Sequence, residues 1–111
     1  MDNYFKIEGT DLRICVPAEL DHHHAEQIRR GTDRLIRSRN IRRIIFDFQK
    51  TGFMDSSGIG MLMGRYKDMY FMGGSVKAVH VNDRVRKILR LSGVSKILKI
   101  DEGSPTGSGD I

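Results

Sequence analysis

Ile44, Ile45 and Phe46 stand together with no polar residue between them. In an extended chain, successive side chains point to opposite faces. Such a run therefore puts apolar surface on both sides of a strand and calls for cover on both. A few residues later the period changes. Ile59, Leu62, Met63, Tyr66, Met69 and Tyr70 recur at helical spacing from about Ser57 to Met72, and Gly73-Gly74 ends the pattern. "SVKAVHV" then reads as a second strand. Strand–helix–strand units of this kind join parallel strands by a right-handed crossover, which confines the chain to the α/β class.

The remaining segments fit the same plan. "YFKIE" and "LRICV" alternate apolar and polar around Gly9, which predicts an antiparallel hairpin, and Pro17 ends its second strand. Ala25, Ile28, Thr32, Leu35 and Ile36 predict a helix, with Asp21 as its N-cap and Asn40 as a stop; Gly31 weakens the pattern from within. "NDRVRKILRLSG" is a short helix capped by Asn82 or Asp83, with Val85, Ile88 and Leu89 inward, and "KILKI" is a last short strand. The order is β-β-α-β-α-β-α-β. It predicts one mixed β-sheet with an N-terminal antiparallel hairpin and flanking helices. Residues 1–101 form the expected domain, and the Gly- and Ser-rich residues 102–111 a flexible tail.

Composition removes several function classes. No apolar run approaches the length of a bilayer span, so no membrane role is expected. "MDNYFKIEGT" lacks the apolar core of a signal peptide. The single cysteine, Cys15, excludes an internal disulfide and fits a reducing cytoplasm. Net charge is +5, with seven arginines among residues 29–43, a pattern that can mark a nucleic-acid binder. No aromatic residues interleave with these arginines to stack on bases, so a solvated helix face is the better reading. The methionines Met54, Met61, Met63, Met69 and Met72 read as core and helix-packing residues, some of them available to a partner.

"DSSGIG", residues 55–60, lies between strand and helix. First-turn amides lack internal partners, so Asp55, Ser56 or Ser57 is expected to cap them. The same position suits a regulated hydroxyl. A helix N-terminus tolerates negative charge, and a phosphoryl group adds about −1.5 to −2 charges. Beside Asp55 it would repel a partner fitted to a neutral serine. A phosphate cradle using amides near Gly58 and Gly60 is the alternative, although the P-loop spacing is absent. Neither serine lies in G-x-S-x-G, and nothing in the spacing of His80 marks it as a base, so hydrolysis is not expected.

"ELDHHHAE", residues 19–26, invites a metal reading. Consecutive helical residues diverge by about 100°, so His22, His23 and His24 do not converge. His22 with Glu26 supplies two ligands, too few for structural zinc. Capping by Asp21 with surface histidines is the simpler account. A docking surface near the serine loop is the other.

Together "ELDHHHAE", "FMDSSGIGMLMGRYK", "GGSVKAVHVNDRVRKILRLSG" and "KILKI" closely resemble the anti-sigma factor antagonists of the STAS domain family, nearest to the sporulation anti-sigma-F type, over nearly all of residues 3–100. The resemblance implies a single STAS domain that is not an enzyme, needs no cofactor or metal, and acts in the cytoplasm without touching nucleic acid. It implies partner switching. The unphosphorylated protein binds an anti-sigma factor that is also a serine kinase, releasing a sigma factor. The kinase phosphorylates Ser56, and a PP2C-type phosphatase reverses this. By the same matching, Asp21, His22 and His23 form the docking surface with Asp55, Ser56, Ser57 and Gly58. Two departures stand out: His24 replaces a small polar residue, and the tail lacks the usual terminal helix pattern. A nucleotide- or phosphate-sensing domain is the runner-up, and a basic nucleic-acid adaptor the third reading.

Overall fold

The computed structural model describes residues 4–101. The predicted tail at 102–111 lies outside them. The hairpin forms as expected, from β1 (Phe5–Glu8) and β2 (Asp11–Cys15), with Gly9 at φ +65°, a conformation that glycine adopts without strain. A strand β3 (Glu19–Leu20) leads into helix α1 (His22–Ser38). Next come β4 (Arg43–Asp47), β5 (Phe53–Met54) and helix α2 (Ser56–Phe71). The chain closes with β6 (Ser75–Val79), helix α3 (Asp83–Leu91), a 3-10 turn at Val94–Lys96 and β7 (Lys99–Ile100). Asn82 is the cap of α3, its side chain accepting from the Val85 amide.

The main sheet runs β1-β2-β4-β6-β7, antiparallel only at β1–β2. In register, Leu12 faces Ile44 and Val76, and Ile14 faces Phe46 and Ala78. These six side chains are at most 5% exposed, and one core cluster joins them to Ile28 of α1, Leu62 and Met69 of α2, and Val85 and Leu89 of α3. Burying a side chain such as Leu62 contributes about 1.5–3 kcal/mol. All three helices thus serve one face of the sheet.

The cover that the apolar run calls for on the second face of β4 comes from side chains of neighbouring strands and not from a helix. Ile45 is only 4% exposed, yet it lies outside the core cluster. In register it stands between Arg13 and Lys77, part-exposed side chains whose aliphatic stems shield it. The surrounding charges on this face neutralise one another: Arg13–Asp47 at 3.1 Å, Arg43–Asp11 at 2.7 Å, Lys77–Asp101 at 3.7 Å and Lys6–Glu8 at 3.6 Å. The sheet face without helices is thus lined by ion pairs.

Other expectations change in detail. Met54, Met61 and Met69 are core, but Met63 and Met72 are exposed, because the inward stripe of α2 runs Gly58, Met61, Leu62, Arg65, Met69. Buried Arg65 takes a position that apolar spacing assigns to no cation; Asp68 at 3.0 Å neutralises it. Gly31 is not a defect in α1. A methyl there would collide with the Phe5 ring, so the glycine admits the hairpin against the helix. Helix α1 ends at Ser38, with Arg39 rather than Asn40 as its C-cap.

Candidate functional site

The site is built by two strands of two residues each, β3 and β5, which pair in parallel as Glu19 with Phe53 and Leu20 with Met54. Leu20 and Met54 are buried, and the next residue on each strand is an aspartate. Asp21 and Asp55 share nearly one conformation, φ −95° ψ −174° and φ −101° ψ −173°. Each caps the helix that follows. The Asp21 side chain accepts from the His24 amide at 3.0 Å. The Asp55 side chain accepts from the Ser57 and Gly58 amides at 2.9 and 3.1 Å. The Asp55 amide donates to the Leu20 carbonyl at 3.2 Å, tying the two units together. Strand pairing therefore sets the mouths of α1 and α2 side by side.

This places the residues singled out from the sequence. Ser56 is the first residue of α2 and is exposed, so the helix starts one position before the expected Ser57. Ser57 is half-buried, its Oγ 3.4 Å from His22 Nδ1, which brings the two stretches into contact. His22 and His23 are exposed. His24 instead turns to Asp21, with its Nδ1 at 2.8 Å from the carboxylate, and stands edge-on to Tyr4. Hydrogen bonding from the His24 amide, with smaller help from its ring, holds the Asp21 carboxyl below its ordinary range despite some desolvation. Gly58 is buried, and a Cβ there would stand 2.8 Å from both Leu20 Cγ and the Leu20 carbonyl oxygen. The glycine allows the close approach of α2 to β3.

Two further residues support the site: Thr51, which the sequence did not single out, and Asn82, which it marked only as a helix cap. Thr51 is buried, and its hydroxyl lies within bonding distance of the Val16 and Pro17 carbonyls at 3.1 and 3.0 Å. Asn82 donates to the Thr51 carbonyl at 2.8 Å, so the cap of α3 braces the loops that carry β3 and β5. The repeated pattern of a buried Leu or Met followed by Asp and a helix is the sequence signal that marks the paired mouths.

The chemistry available here is that of a surface. The amides of Ser57 and Gly58, which a phosphate cradle would use, are already engaged by Asp55. His80 is bound to Asp47 at 2.9 Å, and the imidazole beside Ser57 is His22. Among the described residues, no group of three or more His, Cys, Asp or Glu side chains is arranged to hold a metal, and no helix is long and apolar enough to cross a membrane. Within the arginine cluster, Arg29 and Arg30 pair with Glu26, and Arg43 with Asp11. Those two arginines hold the Glu26 carboxyl down to about 2.

Comparison with known proteins agrees with this fold. The STAS domain profile matches residues 5–105. An anti-sigma F factor antagonist of Paenibacillus polymyxa is 37% identical over 89 residues, spanning 80% of this chain and 76% of that protein. The solved structure of the anti-sigma factor antagonist SpoIIAA in its unphosphorylated form superposes with a TM-score of 0.78 at 30% identity, covering 87% of this chain and 85% of that one. The phosphorylated form of the Bacillus cell fate determinant SpoIIAA superposes with a TM-score of 0.68 at 30% identity, covering 87% and 90%.

Proposed function

Since this chain belongs to the STAS domain family, among its anti-sigma factor antagonists, we propose that the paired helix mouths are the seat of an anti-sigma factor and that Ser56 is the switch. The observation that carries this reading is the Ser56 hydroxyl, exposed at the first residue of α2, next to Asp55 and across the β3–β5 pair from Asp21 and His22. In the unmodified state the neutral hydroxyl lets the partner close over Asp21, His22, His23, Ser56 and Ser57. Binding takes the anti-sigma factor from its sigma factor, of the sporulation sigma-F type.

The partner is also a serine kinase. Its ATP gives up the γ-phosphoryl group to Ser56 Oγ: an O–P bond forms, the bond between the γ-phosphorus and the oxygen that bridges it to the β-phosphorus breaks, that oxygen leaves with ADP, and the seryl proton passes to a base on the kinase. The added charge of about −1.5 to −2 sits where a helix dipole tolerates it. It also sits beside the Asp55 and Asp21 carboxylates, so the docking surface becomes strongly anionic while the fold stands. A PP2C-type phosphatase hydrolyses the ester and resets the surface. On this reading the protein works in the cytoplasm as a regulatory partner rather than an enzyme, and neither nucleic acid nor a cofactor takes part.

Incubation with ATP and an anti-sigma factor kinase from the same organism, followed by peptide mapping, tests the reading. Stoichiometric phosphate on Ser56 is expected, and its absence from Ser56 refutes the assignment. Ser56→Ala is expected to bind the kinase at near wild-type strength, and Ser56→Asp at least about tenfold more weakly, or about 1.4 kcal/mol. Equal affinities would remove the repulsion on which the switch depends.

A further inference from the structure

The two ends of the α1–α2 pair carry opposite chemistry. The helices start side by side at the mouths, and with 17 and 16 residues they end about 24–26 Å away. At that far end Ile36, Phe71 and Met72 line a groove of about 300 Å³, with Phe71 83% exposed. Apolar side chains exposed side by side mark an interaction surface. Cations surround this one. Arg37 lines the groove, and the Arg42 carbonyl accepts the Ser75 amide at 3.1 Å, which sets Arg42 beside the turn after α2. Arg34 and Arg39 flank Arg37 in the chain, and all four arginines are exposed. Unlike Arg29, Arg30 and Arg43, none of the four forms an ion pair among the described residues. The acids of the groove are already spent, Asp33 on Arg29 at 3.2 Å and Asp68 on Arg65 at 3.0 Å.

The far end therefore calls for an apolar group with carboxylates beside it, and this chain carries one at its other end. Glu19 and Phe53 pair across β3–β5 and both are exposed, Phe53 by 51%. Asp21 and Asp55, half-buried, each follow two residues later. Glu19 has no ion-pair partner among the described residues. A phenyl ring beside three carboxylates complements an apolar groove beside four guanidinium groups. A nucleic-acid strand fits less well, because its phosphates would meet Asp33 and Asp68 and leave Ile36 and Met72 uncovered.

We propose that the far end of the α1–α2 pair receives the helix mouths of a second copy of this chain. Phe53 of the second copy enters the groove against Ile36, Phe71 and Met72, and its Glu19, Asp21 and Asp55 face Arg34, Arg37, Arg39 and Arg42. The two surfaces lie at opposite ends of one molecule, so the contact is heterologous and repeats head to tail. The contact stands without the docking reading. Its consequence rests on that reading: a mouth held by another copy is closed to the anti-sigma factor, and the anti-sigma factor breaks the chains of copies.

Sedimentation equilibrium of the full chain tests the contact. At low ionic strength the mean mass of wild type is expected to rise with concentration beyond that of a dimer, and about 0.5 M salt is expected to reverse the rise. Arg37→Glu and Arg42→Glu each spoil the far end, and Phe53→Ser spoils the mouth. Each is expected to associate at least about tenfold more weakly. An equimolar mixture of Arg37→Glu and Phe53→Ser keeps one sound mouth and one sound far end, so dimers and nothing longer are expected. Wild type that stays monomeric up to about 1 mM overturns the proposal, and so does a mixture no more associated than its components. If monomeric wild type instead binds a labelled oligonucleotide or the anti-sigma factor, and Arg37→Glu abolishes that binding, the far end belongs to that partner and the second copy is ruled out. Anti-sigma factor from the same organism is expected to return associated wild type to single copies. If the chains of copies persist while Arg37→Glu breaks them, the head-to-tail contact stands and the helix-mouth seat falls.

Discussion

Replacing Gly58 by alanine separates two demands that a helix start ordinarily makes together. Alanine improves helix propensity by about 0.8–1 kcal/mol. Against this, the new Cβ would lie 2.8 Å from Leu20 Cγ, 2.9 Å from Leu20 Cδ2 and 2.8 Å from the Leu20 carbonyl oxygen. Comfortable carbon–carbon contact is about 3.5–4.0 Å, so helix and strand must part by roughly an ångström. Leu20 has no room to yield: it is 0% exposed, and its carbonyl accepts the Asp55 amide. Overpacking of this kind costs about 1–3 kcal/mol. The net change is a loss of up to about 2 kcal/mol, or about 4–8 °C in Tm for each kcal/mol in a domain of this size. Gly60→Ala, on the same helix with no contact to lose, is expected to gain about 0.4–1 kcal/mol. Urea denaturation followed by circular dichroism measures both, with m-values unchanged if the denatured states match. If the two variants have the same stability, the close approach of α2 to β3 is not what holds the helix mouths together.

Two further outcomes follow from the same geometry. Asp55→Ala leaves the Ser57 and Gly58 amides without their acceptor and is expected to lose about 1–2 kcal/mol in the same urea assay, whereas Asp55→Asn keeps most of the cap. Asp47 is only 12% exposed. Burial alone would raise its pKa, but hydrogen bonds from His80 and the Gln49 amide, with the charges of His80 and Arg13, hold it below the ordinary value. A depressed carboxyl contributes stability that is complete above the ordinary aspartate value of about 4 and is lost as pH falls through the depressed value. Acid titration of the unfolding free energy should show that fall in wild type and a shallower one in Asp47→Asn.

Periodicity made the hairpin and the three helices legible, because each has a buried stripe of several residues, such as Ala25, Ile28 and Thr32 of α1. It could not reveal β3 or β5. Two residues have no period, and Leu20 and Met54 become strand residues only through each other. That pairing is what turns two separate motifs into one surface: the sequence set the histidine stretch near the serine loop, but did not reveal the strand pair that joins them. Met63 misled for a different reason. It keeps helical spacing with Ile59, Tyr66 and Tyr70, but the inward stripe of α2 passes through Met61, Leu62 and Arg65, whose charge is matched from Asp68 and, at 4.0 Å, from Asp33 on α1. A buried cation is apolar in its packing and polar only at its tip, and hydropathy records only the tip. For Ile45 the apolar run rightly called for cover but did not reveal its source, the neighbouring Arg13 and Lys77 on β2 and β6.

The saturated cap also bears on what a charge at Ser56 would do. At many helix starts a new phosphoryl group folds back onto free first-turn amides, and the helix itself is altered. Here Asp55 already accepts from two of them, and the Asp55 amide is spent on Leu20. A phosphoryl group on Ser56 would have to displace its own neighbouring carboxylate to reach those donors, exchanging one anion for another. Remaining outward is the lower-energy course. The charge then adds to those of Asp55 and Asp21 at the surface instead of being absorbed by the fold. On the proposed reading, this is why modification alters docking far more than stability: the acid that caps the helix also denies the phosphoryl group a place to hide. Asp55→Asn tests the point directly. With the cap kept and its charge removed, phosphorylated Ser56 still points outward but the surface carries one negative charge fewer, and the affinity gap between modified and unmodified forms for the anti-sigma factor should narrow. A gap unchanged from wild type would mean that the Asp55 charge has no part in repulsion.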